Sequence, residues 1–254
     1  MTPDYPTIRY SRRADIGTLT LNRPAKLNAL NPQMRDDLGR LGALLTDDDT
    51  LRCLIVTGAG PSFSAGLDLA EAMTGTLAQF VDRTPDDETV ELGLAVAGVF
   101  EFIPNLLCPS VAAVRGHAYG AGLQLALACD FRIFAADARV GLTESRFGLL
   151  PDMGATFRLP RIVGESRARE MILLGEIIDA AESLRIGLAN RVVPGDELDS
   201  AADKFADRLA AQPPLAVRGA RAAIEAGRHL GAAAALRVAV EAQAHCLASA
   251  DFTL

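Results

Sequence analysis

No apolar run in this sequence is long enough to cross a membrane; the longest are short and broken by charge. Met1 to Tyr10 lacks the apolar stretch of a secretory signal. Basic stretches are missing too, and the formal charge is −7, which argues against nucleic acid as a partner. A ligand carrying phosphates would have to be met by local positive charge or by helix N-termini. Cysteine and histidine are scarce. Cys53, Cys108, Cys129 and Cys246 form no CxxC pair, and His117, His229 and His245 lie far apart, so no metal-ligand spacing arises. Isolated thiols fit a reducing compartment, and a cytoplasmic protein is expected.

Familiar phosphate and nucleophile motifs are also incomplete. Gly58-Ala59-Gly60-Pro61-Ser62-Phe63 and Gly120-Ala121-Gly122-Leu123-Gln124-Leu125 both lack the third glycine of GxGxxG, and no GxxxxGK[ST] occurs. Gly60-Pro61-Ser62-Phe63-Ser64 lacks the last glycine of a serine-nucleophile elbow. These gaps count against a dinucleotide enzyme and a serine hydrolase.

What the chain does have is 254 residues, half of them hydrophobic, enough to bury one large core. Ile16–Leu21, Leu51–Thr57, Val111–Val114, Phe131–Phe134 and Arg139–Leu142 read as strands. Asn31 and Pro32 read as the N-cap and first position of a helix whose Met34, Leu38, Leu41 and Leu45 share a face. An apolar helix is expected from about Leu123 to Cys129, and another from Leu94 to Leu107. Residues 70 to 93 read as a mobile loop that shapes a pocket. Strand, turn and helix alternate, which predicts an α/β fold with mainly parallel strands. After about Pro194 only helical periodicity remains, so the expected division is 1–195 and 196–254.

Two glycine-rich turns each follow a buried strand: Phe63-Ser64-Ala65-Gly66-Leu67-Asp68-Leu69 and Gly116-His117-Ala118-Tyr119-Gly120-Ala121-Gly122. Glycine lets backbone approach a ligand closely, and a helix N-terminus leaves N–H groups free. Facing one another, two such turns would aim two donors at one developing oxyanion. Taken alone, the glycines are equally explained as tight strand–helix turns.

These segments resemble those of the crotonase (enoyl-CoA hydratase/isomerase) superfamily. Phe63 to Leu69 and Arg115 to Asp130 are similar to its two oxyanion segments. Asn22-Arg23-Pro24 through Ala29-Leu30 is similar to its opening CoA-contacting turn. Gly141 to Pro151 and Arg158-Leu159-Pro160-Arg161 resemble the region after its catalytic helix. The resemblance runs from about residue 8 to 252 and implies a crotonase (ClpP-like) spiral of ββα units with a C-terminal helical trimerisation region. It implies an acyl-CoA thioester substrate, no separate cofactor, and a homotrimer or dimer of trimers. The implied oxyanion donors are the backbone N–H groups of Leu67 and Ala121. The implied CoA contacts are Lys26, Leu27, Ala65, Asp68 and Leu69, largely through backbone. Relatives usually continue past the Ala250-Asp251-Phe252 segment with a further helix and a basic stretch, so the grip on the 3′-phosphate stays unassigned.

The same resemblance locates the acid/base positions. The first glutamate of the two-glutamate hydratases is replaced by Gln124, which cannot carry a proton at neutral pH. Glu144 occupies the second position. Asp152, eight residues on, is acidic in some members, dienoyl-CoA and ring-opening isomerases among them; it could equally cap the next helix. One carboxylate suffices for a 1,3 proton shift, so this pattern favours an enoyl-CoA isomerase over a hydratase. A catalytically weak acyl-CoA-binding protein is the reading from another class. His117, Asp68 and Asp130 read as structural.

Overall fold

The structure is a computed structural model that describes residues 4–74, 78, 86–250 and 252. Among the described residues nine strands form two sheets: β1 (Ile8–Arg13), β2 (Ile16–Leu21), β3 (Cys53–Gly58), β4 (Ser110–Val114), β5 (His117–Tyr119), β6 (Phe131–Ala135), β7 (Arg139–Gly141), β8 (Ile177–Asp179) and β9 (Arg191–Val193). The larger sheet runs β1-β2-β3-β4-β6-β9 and the smaller runs β5-β7-β8. Only β1–β2 and β7–β8 pair antiparallel. The predicted α/β class therefore holds, and β1, β5, β8 and β9 are additions. Three of these four are three residues long, too short to show a period.

The central strands read as continuous apolar runs because both faces are covered. On β3, Leu54 and Val56 enter the larger core while Cys53 and Ile55 enter a second one. Strand β4 alternates likewise, Ala112 and Val114 against Val111 and Ala113. Packed with these sheets among the described residues are the helices α1 (Pro32–Leu45), α2 (Leu69–Thr74), α3 (Asp87–Ala97), α4 (Ala121–Ala128), α5 (Ala155–Val163), α6 (Glu165–Leu174), α7 (Ala180–Arg185), α8 (Leu198–Ala210), α9 (Pro214–His229) and α10 (Ala232–Leu247). Helix α1 begins as its sequence predicts: Asn31 Oδ1 accepts from Met34 N at 2.9 Å and Pro32 opens the first turn. Met34, Leu38, Leu41 and Leu45 are its buried stripe.

Residues 70 to 93 differ from the expected loop. Both ends are helical, in α2 and α3, and the segment between lies largely outside the described residues. The helix expected from Leu94 to Leu107 instead ends with α3 at Ala97. A 3₁₀ turn, Gly98–Phe100, follows, and the chain then turns toward β4. Asp86 caps α3 by accepting from Thr89 N at 2.8 Å, so this helix is set by its N-terminus rather than by an apolar stripe.

Beyond Pro194 all long elements are helices. Helix α8 lays Leu198, Ala202 and Ala206 on the second core. Helices α9 and α10 form a hairpin so close that a Cβ on Gly219 would lie 2.8 Å from the Ala242 methyl. Arg221 ties the hairpin back to Asp130 at 3.2 Å. Asp130 also accepts from the amide and hydroxyl of Ser110, the structural role its sequence suggests. The four cysteines are free, and burial pushes the Cys108 and Cys129 thiols up to about 12, far from the reactive thiolate range. Among the described residues no helix is long and apolar enough to span a membrane.

Candidate active site

Residues 63 to 68 run as a seam between Leu30 and strand β5. Phe63 N donates to Arg115 O, Ser64 N to His117 O, and Tyr119 N to Ser64 O at 2.9, 2.9 and 3.0 Å. On the other side Leu30 N donates to Gly66 O at 2.7 Å and Asp68 N to Leu30 O at 2.9 Å. The two glycine-rich turns are thereby pressed together. A Cβ on Gly66, whose φ is +94°, would lie 2.6 Å from Tyr119 O and 3.6 Å from Ala121 N. Here glycine is demanded both by conformation and by space.

The seam leaves two donors unspent. Among the described residues the N–H groups of Leu67 and Ala121 have no acceptor, Leu67 because its neighbours make the bridge and Ala121 because it opens α4. Both residues line a cavity of about 460 Å³. Glu144 lines it too, at the start of a 3₁₀ turn (Glu144–Phe147) that follows β7. Its carboxyl lies against the N-terminus of α4: a Cβ on Gly120 would come within 3.3 Å of Oε1.

Gln124, one turn into α4 and fully buried, fixes that carboxyl. Its Nε2 donates to Glu144 Oε1 at 2.9 Å, and its Oε1 accepts from Ala155 N, the first amide of α5, at 3.3 Å. The other oxygen, Glu144 Oε2, is buried and has no partner among the described residues. Burial raises the Glu144 pKa; bonds from its own amide and from Gln124 oppose that, and the charge of Asp152 adds to it.

Asp152 opens onto the same cavity. It is not a cap, because α5 begins at Ala155 with Gly154 in the N-cap position and no side chain bonded there. Of the two sequence readings of Asp152, the cap is thus excluded. Although its surface is exposed to cavity space, the surrounding protein removes enough water to raise its pKa, against a lowering from its own amide.

Two carboxyls, one buried amide and two N–H donors without acceptors among the described residues thus surround one cavity. The family model for enoyl-CoA hydratase/isomerase matches residues 11–253. The chain belongs to the enoyl-CoA hydratase/isomerase family. It is 35% identical over 248 residues, 97% of this chain and 92% of the other, to the crotonyl-CoA hydratase of Syntrophomonas wolfei. The enoyl-CoA hydratase structure from Bacillus anthracis is similar at TM-score 0.87 and 32% identity, covering 96% of this chain and 92% of that one. A Thermobifida fusca YX structure in complex with CoA is similar at TM-score 0.86 and 34% identity, covering 98% and 97%. The crotonase fold and an acyl-CoA enzyme follow.

Within this family's frame, the other expected residues fall in three groups. Ala65 and Leu69 line the cavity. Lys26 and Leu27 do not, but Ala65 N donates to Leu27 O at 2.8 Å, so their exposed turn is joined to the seam. Leu27 and Asn28 hold positive φ, 49° and 55°. Asp68 is not brought to the cavity. Its carboxylate pairs with Arg23 at 3.1 Å, and that guanidinium holds it below the usual range despite burial. His117 bonds Ser62 Oγ through Nδ1 at 3.0 Å and packs on Tyr119, a structural role as its sequence suggests. Unforeseen cavity residues include Phe147, Leu149 and Leu150. The run of exposed apolar side chains after Glu144 was their one sequence signal. Arg35 is unforeseen as well, one residue beside the buried stripe of α1.

Proposed function

We propose that this protein adds water reversibly to a 2-enoyl-CoA thioester, with Glu144 as the proton carrier. The supporting observation is the partnerless Glu144 Oε2, which shares one cavity with the free N–H groups of Leu67 and Ala121. The thioester oxygen accepts from both amides, so negative charge developing on it meets preorganised donors. Water oxygen bonds to C3 while its proton passes to Glu144. The enolate then takes that proton at C2, and the second hydrogen of the water remains on the new hydroxyl. One carboxylate balances the whole sequence, and no separate cofactor is required. Gln124 holds Oε1 so that Oε2 alone faces the substrate. The backbone turns at Lys26, Leu27, Ala65, Asp68 and Leu69 receive the nucleotide half.

The sequence pattern favoured isomerisation because it offered one glutamate. Water addition takes precedence for two reasons: one carboxylate is enough for it, and the similar proteins above carry hydratase names. Isomerisation of a 3-enoyl-CoA is the second reading, favoured by Gln124, whose amide is bound to Glu144 and Ala155 rather than free to hold water. Here Glu144 would take a proton from C2 and return it at C4.

A panel of 2-enoyl, 3-enoyl and dienoyl thioesters, with water addition and double-bond migration followed separately, tests this. Crotonyl-CoA hydration lost in Glu144→Gln is the expected result; migration without hydration would replace the first reading with the second. No turnover of any thioester would leave a binding protein. Asp152→Asn belongs in the same panel. If Asp152 helps orient the water, hydration falls while migration is spared.

The α9–α10 hairpin carries exposed Ile224, Leu236, Val240 and Leu247, and neither helix has a buried residue. We propose that it lies between protomers of a homotrimer or dimer of trimers.

A further inference from the structure

Arg35 is the one cation lining the cavity among the described residues. It sits in the first turn of α1 and is half-buried. A guanidinium offers five N–H donors, yet none meets an acceptor among the described residues, and no carboxylate pairs with it. Two carboxylates on α2 and α1, helices that contribute to this wall, are engaged elsewhere. Glu71, on α2, is held by Arg23 at 2.6 Å and by Asn31 Nδ2 at 2.8 Å, and Asp37 accepts from Thr7. The wall beside it is apolar: Leu30, Pro32, Leu69, Ala72 and Val96. A cation partly withdrawn from water beside apolar surface gains most from an anion arriving with the ligand.

From this we infer that Arg35 recognises a terminal carboxylate on the acyl chain, so that the preferred thioester is an ω-carboxylated acyl-CoA rather than a simple alkyl one. The inference rests on the acyl-CoA reading of the site. The lining argues for an acyl chain over the phosphates of CoA: the cavity that Arg35 shares with Leu67, Ala121 and Glu144 is otherwise walled mostly by apolar side chains. An apolar pocket with one fixed charged donor is also the usual way a site selects by functional group.

Unreactive saturated thioesters separate this question from catalysis. Calorimetry with glutaryl-CoA, pentanoyl-CoA and free CoA is run on the wild type and on Arg35→Gln. Glutaryl-CoA is expected to bind roughly 10- to 100-fold tighter than pentanoyl-CoA in the wild type, the worth of a hydrogen bond to a charged group. Arg35→Gln should erase that margin and leave pentanoyl-CoA affinity unchanged. Equal affinities in the wild type would overturn the proposal. So would equal weakening of all three ligands in the variant, which would put Arg35 on a phosphate. Failure of the wild type to bind any of the three would instead overturn the acyl-CoA reading itself.

Discussion

Glu144 is the residue on which the chemistry turns, and its burial has two measurable consequences. Glu144→Gln keeps shape and the contact with Gln124 while removing the titrating group, so the fold should persist and turnover should fall roughly 10²–10⁴-fold. Because burial raises its pKa, the acid limb of the kcat/KM profile should lie above the ordinary carboxylate value. The stability effect has the opposite dependence. The folded state holds this proton more tightly than the unfolded chain. Its contribution is therefore complete below the ordinary glutamate pKa and is lost as pH rises through the raised value. The melting temperature of Glu144→Gln relative to wild type should accordingly increase from acidic to neutral pH; a constant difference would argue against a shifted Glu144. Gln124→Glu probes the same pair. One new oxygen keeps the Ala155 amide, while the other meets Glu144 where an N–H stood, 2.9 Å away. Like charges that close force the pair to retain a proton. Hydration relative to migration should rise, since the new carboxylate can hold the attacking water, with the pH optimum displaced upward; a fall in that ratio would count against water addition at this site.

Among the elements, the seam between residues 63–68 and β5 controls how far apart the two donors sit. Gly66→Ala adds a methyl group that must intrude on Tyr119 O at a backbone φ of +94°. The strain should cost about 1–3 kcal/mol by urea denaturation. More tellingly, Leu67 and Ala121 would be pushed apart, and misplacement on this scale costs about 10²-fold in turnover. Unchanged kcat in a folded Gly66→Ala protein would show that the two amides do not act together. Helices α4 and α5 matter for a related reason: the Gln124 side chain joins the body of one to the N-terminus of the other, so the orientation of Glu144 is set by packing of whole helices.

At the scale of the molecule, the unpartnered faces of α9 and α10 lead to an expected mass three or six times that of the 26.8 kDa chain in light scattering. A monomer at micromolar concentration would contradict the proposed assembly. Crotonyl-CoA should raise the melting temperature by mass action, and free crotonate should not, since the expected nucleotide contacts lie on the turns around Lys26 and Ala65. Equal effects of the two would remove CoA recognition from the account.

The sequence by itself determined the α/β class, the cap of α1, five of the strands, and the family. Each of these depends on local chemistry or on motif order along the chain. The short strands β5, β8 and β9 escaped because three residues carry no period; β7, equally short, was legible only within the longer segment Arg139–Leu142, and the start of α3 escaped because it buries no apolar stripe. Glu144 and Gln124 were legible as positions, but not their bond, since 20 residues separate them and only the packing of β7 against β5 and α4 brings them together. Asp152 could be a cap or a cavity carboxylate until the start of α5 at Ala155 decided it. Arg35 carries no signal of its own in the sequence. Its unpaired place in the cavity wall arises from α1, α2 and α3 meeting there, a long-range fact that no local pattern encodes.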